Sequence, residues 1–333
     1  MLYPLTFRPI FKERIWGGRN LEKLYGKALP QGKIIGESWE VSDRPGDESV
    51  IANGVLAGRT LGDLLREDRV ALLGPGAANG ATKRFPLLIK IIDAQDTLSL
   101  QVHPPATIAA QLGGEPKTEM WYVAQAGPGA ELFVGLRNGV TRAQFEASLT
   151  GHDVAKCFHR IPVRAGDAMF LPSGRVHALG AHIVIFEIQQ NSDTTYRVFD
   201  WNRVDGQGHG RTLHISESLA SIDFFDFEPA LLPAESRPGK PGALRPLVKN
   251  DLFEVSLRQL APGESFSPYP GRMEVVGIVE GKAQVTFPSA TIDLNAGQFC
   301  LFPAECQPAT LHATGSLSLL EIFAPEPAAT GRS

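Results

Sequence analysis

Short apolar runs with a two-residue alternation recur along the chain, and they predict strands. Residues 97–103 place Leu98, Leu100 and Val102 on one face and Thr97, Ser99, Gln101 and His103 on the other, which is the side-chain period of a strand. Further strands are expected at 85–92, 119–124, 182–189 and 195–201. A second group is expected at 253–260, 273–279, 283–287, 299–303 and 317–323. Helices are few and short. Asn20 is the expected cap of a helix stopped at Gly26; Thr60 with Asp63, and Thr141 with Gln144, form capping-box patterns. The pattern as a whole predicts a mostly β protein with a few short helices.

Residues 229–246 hold five prolines and no periodicity, which marks a linker. The expected organisation is a larger domain over 1–230 with short helical elements, a Pro-rich linker over 231–245, and a smaller β domain over 246–333. A short internal repeat links the halves: Gly166 and Pro172 bracket five residues, as do Gly297 and Pro303.

Composition narrows the classes. The 333 residues are 43% hydrophobic, enough for a real core, and 34 Gly with 25 Pro fit many turns between short strands. A formal net charge of −4 with no dense Lys/Arg block gives no support for a nucleic-acid surface. Cys157, Cys300 and Cys306 fit no disulfide framework or C-x2-C metal site, so they read as free thiols in a reducing compartment. The first residues lack the apolar stretch of a secretory signal, and no run approaches the ~18 apolar residues of a membrane span. The expectation is a soluble cytoplasmic protein with no membrane partner.

The candidate chemistry lies in the first half. Gly166-x5-Pro172-x-Gly174-x2-His177 resembles the second sequence motif of cupin barrels, whose last His is a metal ligand; the Asn often found four residues later is Ala181 here. Gln101-Val102-His103 stands where the first cupin motif has H-x-H, and Glu119 follows. Residues 101 and 103, two apart on a strand, leave one face together. An amide oxygen, a carboxylate and two imidazoles form an N/O set that suits zinc and similar ions. With one anionic ligand, such a site stays net positive and can polarise a substrate oxygen. His152, His159, His209, His214 and His312 receive no role, and His182, opening an apolar strand, reads as structural.

These residues also carry a family resemblance. Phe85–Lys90 followed by Leu98–Pro104, Lys117–Tyr122 and Gly36–Glu40 resemble type I phosphomannose isomerases, and Gln190–Trp201 resembles their short bacterial branch. The resemblance is dense over residues 3–225. It implies two cupin (jelly-roll) barrels and the reversible conversion of mannose 6-phosphate to fructose 6-phosphate, a small sugar phosphate being the partner. It implies one Zn2+ per chain on Gln101, His103, Glu119 and His177, with Arg197 as the catalytic arginine and Lys117 in the pocket. Ser99 and Lys90 match positions at the phosphate end, and Glu187 is a further pocket acid. Aldose–ketose isomerisation passes through an enediolate, whose oxygen charge a Lewis acid or a fixed cation stabilises. After Pro303 the chain has Ala304, Glu305 and Cys306 and no matching His, so 246–333 reads as a degenerate, metal-free barrel. Rival readings are an isomerase of another sugar phosphate, such as glucose 6-phosphate, and a non-catalytic sugar-binding cupin.

Overall fold

A computed structural model of the chain describes residues 1–78, 83–150, 153–204, 207–233 and 244–324. The protein is mostly β, with short helices. Among the described residues no helix is long and apolar enough to cross a membrane. Two compact units are present: Met1–Lys12, Arg19–Ile91 and Pro233–Ser333 form one, and Glu13–Gly18 with Ile92–Leu232 form the other. Residues 19–91 are thus grouped with the C-terminal strands. Of the expected linker 231–245, residues 234–243 lie outside the described residues, and Leu244 and Arg245 begin the strand Leu244–Lys249.

The strands fall close to where alternation placed them. Leu87–Ala94, Glu119–Ala126, Ile183–Gln190 and Tyr196–Phe199 are found in the first group, and Glu254–Leu260, Glu274–Glu280, Lys282–Phe287, Phe299–Phe302 and Leu317–Phe323 in the second. Thr60 and Asp63 exchange hydrogen bonds at the start of Leu61–Glu67, as a capping box requires. Thr141 and Gln144 do the same before Arg142–Thr150. Gly26 ends Asn20–Tyr25 in the left-handed conformation, φ 62°, which glycine adopts without steric cost. Asn20 is a correction: it is the first helical residue, and Arg19 stands at the cap with no side-chain cap bond.

In the unit containing Ile92–Leu232, one five-stranded sheet runs in the order Phe158–Pro162, Glu131–Leu136, His177–Leu179, Leu100–Val102, Tyr196–Phe199. Three neighbouring strands of a second sheet run Ala168–Leu171, Glu119–Ala126, Ile183–Gln190. Leu132, Val134 and Leu179 of the first pack with Trp121, Val123, Met169, Leu171, Ile183 and Ile185 of the second, so the inner faces meet in one apolar cluster. The outer face of the five-stranded sheet, with Leu100, Val102, Phe133, Phe158, Ala178, Tyr196 and Val198, packs under Phe145 and Val154.

The expected face pattern of 97–103 changes, and the strand at 195–201 does not alternate throughout. The strand at 97–103 is confined to Leu100–Val102, and Leu98, outside it, joins the inner cluster while Leu100 and Val102 face outward. In Tyr196–Phe199 a register shift separates Arg197 from Phe199. Arg197 pairs with Gln101, whereas Phe199 pairs with Leu100 and packs on the outer cluster. Arg197 and Phe199 therefore do not share a face; the bulge reverses the alternation.

In the other unit, a five-stranded sheet runs Leu244–Lys249, Glu254–Leu260, Leu317–Phe323, Glu274–Glu280, Phe299–Phe302. A four-stranded sheet runs Ser265–Phe266, Thr310–Ala313, Lys282–Phe287, Ala290–Asn295.

Candidate metal centre

Antiparallel register builds the centre. Val134 stands opposite His177, His177 opposite Gln101, and Gln101 opposite Arg197. Directly opposed residues share a face. Val134 belongs to the inner cluster, so the row carries Gln101, His177 and Arg197 inward. On the facing sheet, Glu119 stands opposite Leu171 on one side and Gln189 on the other. Trp121, two residues along, stands opposite Met169 and Glu187. His177 and Glu119 thus come from facing sheets.

His103, Glu119 and His177 are each 1% exposed or less, and their ligand-type atoms lie within 4.8 Å of one another. His103 Nε2 is 3.4 Å from Glu119 Oε2, and His177 Nε2 is 3.3 Å from Glu119 Oε1. Both ring nitrogens of His103, both Glu119 oxygens and His177 Nε2 are buried without a hydrogen-bond partner. Leaving a carboxylate and imidazole nitrogens in that state is costly, and one divalent cation would relieve it for Glu119, for His177 Nε2 and for one nitrogen of His103. The two histidine–Glu119 separations match the roughly 3.3 Å expected between neighbouring tetrahedral ligands about 2.0–2.1 Å from one ion.

The surroundings prepare the ligands. His177 Nδ1 donates to the Arg175 carbonyl at 2.9 Å, which leaves the Nε2 lone pair facing Glu119. The Trp121 ring meets His177 edge-on at 5.3 Å between centroids. Burial, and then the Lys117 charge, push the His103 imidazole down to about 3, so it is neutral at ordinary pH. Burial would raise the Glu119 carboxyl, but Lys117 and the two histidines offset this and hold it well below the usual range.

The other expected residues are placed as follows. Lys117 is buried, with Nζ 3.3 Å from Glu119 Oε2. Glu187 is buried and accepts from Trp121 Nε1 at 2.9 Å. Arg197 is half-buried; its Nη1 donates to the Thr212 carbonyl at 2.7 Å, and its main-chain N to His214 Nδ1 at 3.1 Å. Burial lowers its pKa, and Arg211 adds to the effect. Ser99 is buried just before Leu100–Val102. Lys90 belongs to the other unit, where its Nζ lies 5.0 Å from the Trp39 ring centroid. His182 takes a positive φ of 62° just before Ile183–Gln190, and His152 lies outside the described residues.

Trp121 and Gln189 also lie on the face of Glu119, and no motif singles either of them out. The signal for them is spacing: each stands two positions from a named acid on an alternating strand, Trp121 after Glu119 and Gln189 after Glu187.

Comparison with known proteins identifies the family. Residues 5–134 match the family model of the phosphomannose isomerase type I catalytic domain. The chain is 42% identical over 299 residues to the mannose-6-phosphate isomerase of Streptococcus mutans, covering 90% of this chain and 86% of that protein. It is 34% identical over 316 residues to the probable mannose-6-phosphate isomerase GmuF of Bacillus subtilis, covering 94% of this chain and 98% of that protein. A crystal structure of the mannose 6-phosphate isomerase from Bacillus subtilis superposes with a TM-score of 0.85 at 28% identity, covering 96% of this chain and 99% of that one.

Proposed function

Because the chain belongs to the type I phosphomannose isomerase family, we propose that it interconverts mannose 6-phosphate and fructose 6-phosphate at a zinc ion held by Gln101, His103, Glu119 and His177. The observation that carries the metal half of this reading is the buried cluster of donors without hydrogen-bond partners on His103, Glu119 and His177. Gln101, directly opposite His177, adds a neutral oxygen donor from the same row. The ion, when bound, supplies Lewis acidity that polarises a substrate oxygen.

The remaining roles fall to the chain's own side chains. Isomerisation moves a proton between C1 and C2, and the buried groups near the cluster able to carry one are Lys117 and Glu187. The Trp121 bond orients Glu187. Arg197, inward beside Gln101, offers a permanent cation to the enediolate oxygen or to phosphate. Ser99 serves the phosphate end. Within this reading residues 1–230 supply the catalytic portion and residues 246–333 a metal-free barrel. The enzyme acts in the cytoplasm on a small sugar phosphate.

A coupled assay of purified protein with mannose 6-phosphate, before and after chelation, tests the proposal. Turnover lost to the chelator and restored by zinc is the expected result. Turnover of glucose 6-phosphate alone would replace the substrate. Tight sugar-phosphate binding with no turnover would leave a sugar-binding protein instead.

A further inference from the structure

Gln189 lies at the heart of the inner face and has no part in the roles assigned above. It is 0% exposed and stands directly opposite Glu119. Its Nε2 donates to the carbonyls of Gln190, at 2.8 Å, and Ser192, at 2.6 Å. Those two acceptors settle which way the amide points, because reversing it would set oxygen against oxygen. Its Oε1 therefore faces away from them, and it is buried without a hydrogen-bond donor.

A buried amide oxygen in that state destabilises the fold relative to an apolar side chain of the same shape. The other unit holds the comparison. There Glu274, also fully buried, is opposed on the corresponding strand by Phe323. An apolar residue is thus compatible with this register position. The two main-chain bonds account for the nitrogen end of the amide; its oxygen, opposite Glu119, is left to accept from a donor outside the chain.

We propose that Gln189 is a specificity-determining residue: its Oε1 accepts a hydrogen bond from one hydroxyl of the sugar phosphate bound at the centre. The assignment rests on the isomerase reading above. A hexose phosphate suits the position because each of its hydroxyls brings a donor, and a site with an acceptor already pinned by two main-chain bonds discriminates against a ligand lacking that hydroxyl.

The test uses the zinc-loaded full-length protein, and mannitol 6-phosphate, which has no carbonyl and cannot isomerise, with its mono-deoxy forms. Calorimetry on wild type and Gln189→Met should show the parent compound bound about 10-fold more weakly by the variant. One deoxy form should be bound alike by both proteins. Equal loss for every ligand, or no loss, would overturn the assignment and leave the residue structural. Should the variant not fold, a crystal structure of wild type with mannitol 6-phosphate decides: a hydroxyl within hydrogen-bond reach of Gln189 Oε1 supports the assignment, and its absence overturns it. Wild type that fails to turn over mannose 6-phosphate would remove the isomerase reading and this assignment together. Turnover without the Gln189 contact would remove only the latter.

Discussion

Glu274 holds in its sheet the register position that Glu119 holds in its own. Glu119 pairs with Leu171, which precedes Pro172, and Glu274 pairs with Phe302, which precedes Pro303. Two positions along, Trp121 pairs with Met169 and Glu187, while Val276 pairs with Cys300 and Glu321. The short Gly-x5-Pro repeat therefore marks corresponding strands. What differs is the cation two residues before each acid. Lys117 Nζ turns to Glu119 at 3.3 Å. Arg272 turns instead to Glu254 at 3.1 Å and lies 4.2 Å from the Phe323 ring centroid. Glu119 is consequently held low, whereas burial and then Glu321 push Glu274 up to about 8.

That contrast has a measurable consequence for stability. Between its ordinary value of 4.5 and about 8, Glu274 keeps a proton when folded that it releases when unfolded. Stability then falls as pH rises, by at most about 1.4 kcal/mol per pH unit, and the slope ends once the folded form also ionises. Glu274→Gln has no such proton. Its stability relative to wild type should climb through this window and flatten above it, as read by denaturant unfolding at stepped pH. A constant difference would refute the burial argument.

Metal should stay with the first-half cluster. Wild type should bind about one zinc ion per chain, with Tm raised by the metal because only the folded state assembles the donors. Glu119→Gln and His177→Ala should each lose it, and His312→Ala should retain it. Elemental analysis with and without chelator decides; turnover by protein shown to be metal-free would end the metal assignment.

Arg197→Ala should keep metal and fold, since arginine is no ligand. Loss of an oxyanion-stabilising cation should lower kcat by about 10²–10³. Arg197→Lys should recover part of it, keeping charge but not the planar fork. A loss confined to KM would assign Arg197 to phosphate binding, and wild-type constants would remove it from the site.

Trp121→Phe keeps a ring against His177 and removes the donor to Glu187. Metal content should be unchanged, because neither residue is a proposed ligand. The variant should be destabilised by roughly 1–3 kcal/mol, the cost of stripping a buried carboxyl of a donor. Its kcat should fall as Glu187 loses orientation. Unchanged stability and kcat together would show that the Trp121–Glu187 bond contributes to neither.

By itself, the sequence determined the β class, many of the longer strands and both capping boxes, because alternation and turn chemistry are local; strands such as Ile10–Gly18, Ile35–Val41 and Glu131–Leu136 carried no alternation strong enough to mark them. It also determined the candidate ligands, since Gln101 and His103 lie two apart on one strand and Glu119 and His177 sit in spaced motifs. Only the tertiary structure decided which faces meet. Gln101, His177 and Arg197 form one row through the pairing of three strands distant in sequence, and Glu119 approaches them from a facing sheet. The Arg197 bulge and the outward turn of Phe199 depend on pairing with Leu100–Val102, which no single strand encodes. The same holds for charge. Lys117 and Arg272 each precede a buried glutamate by two residues, yet Lys117 pairs with its own while Arg272 pairs with Glu254. A pKa reflects burial and distances in space, and those are set when the sheets pack.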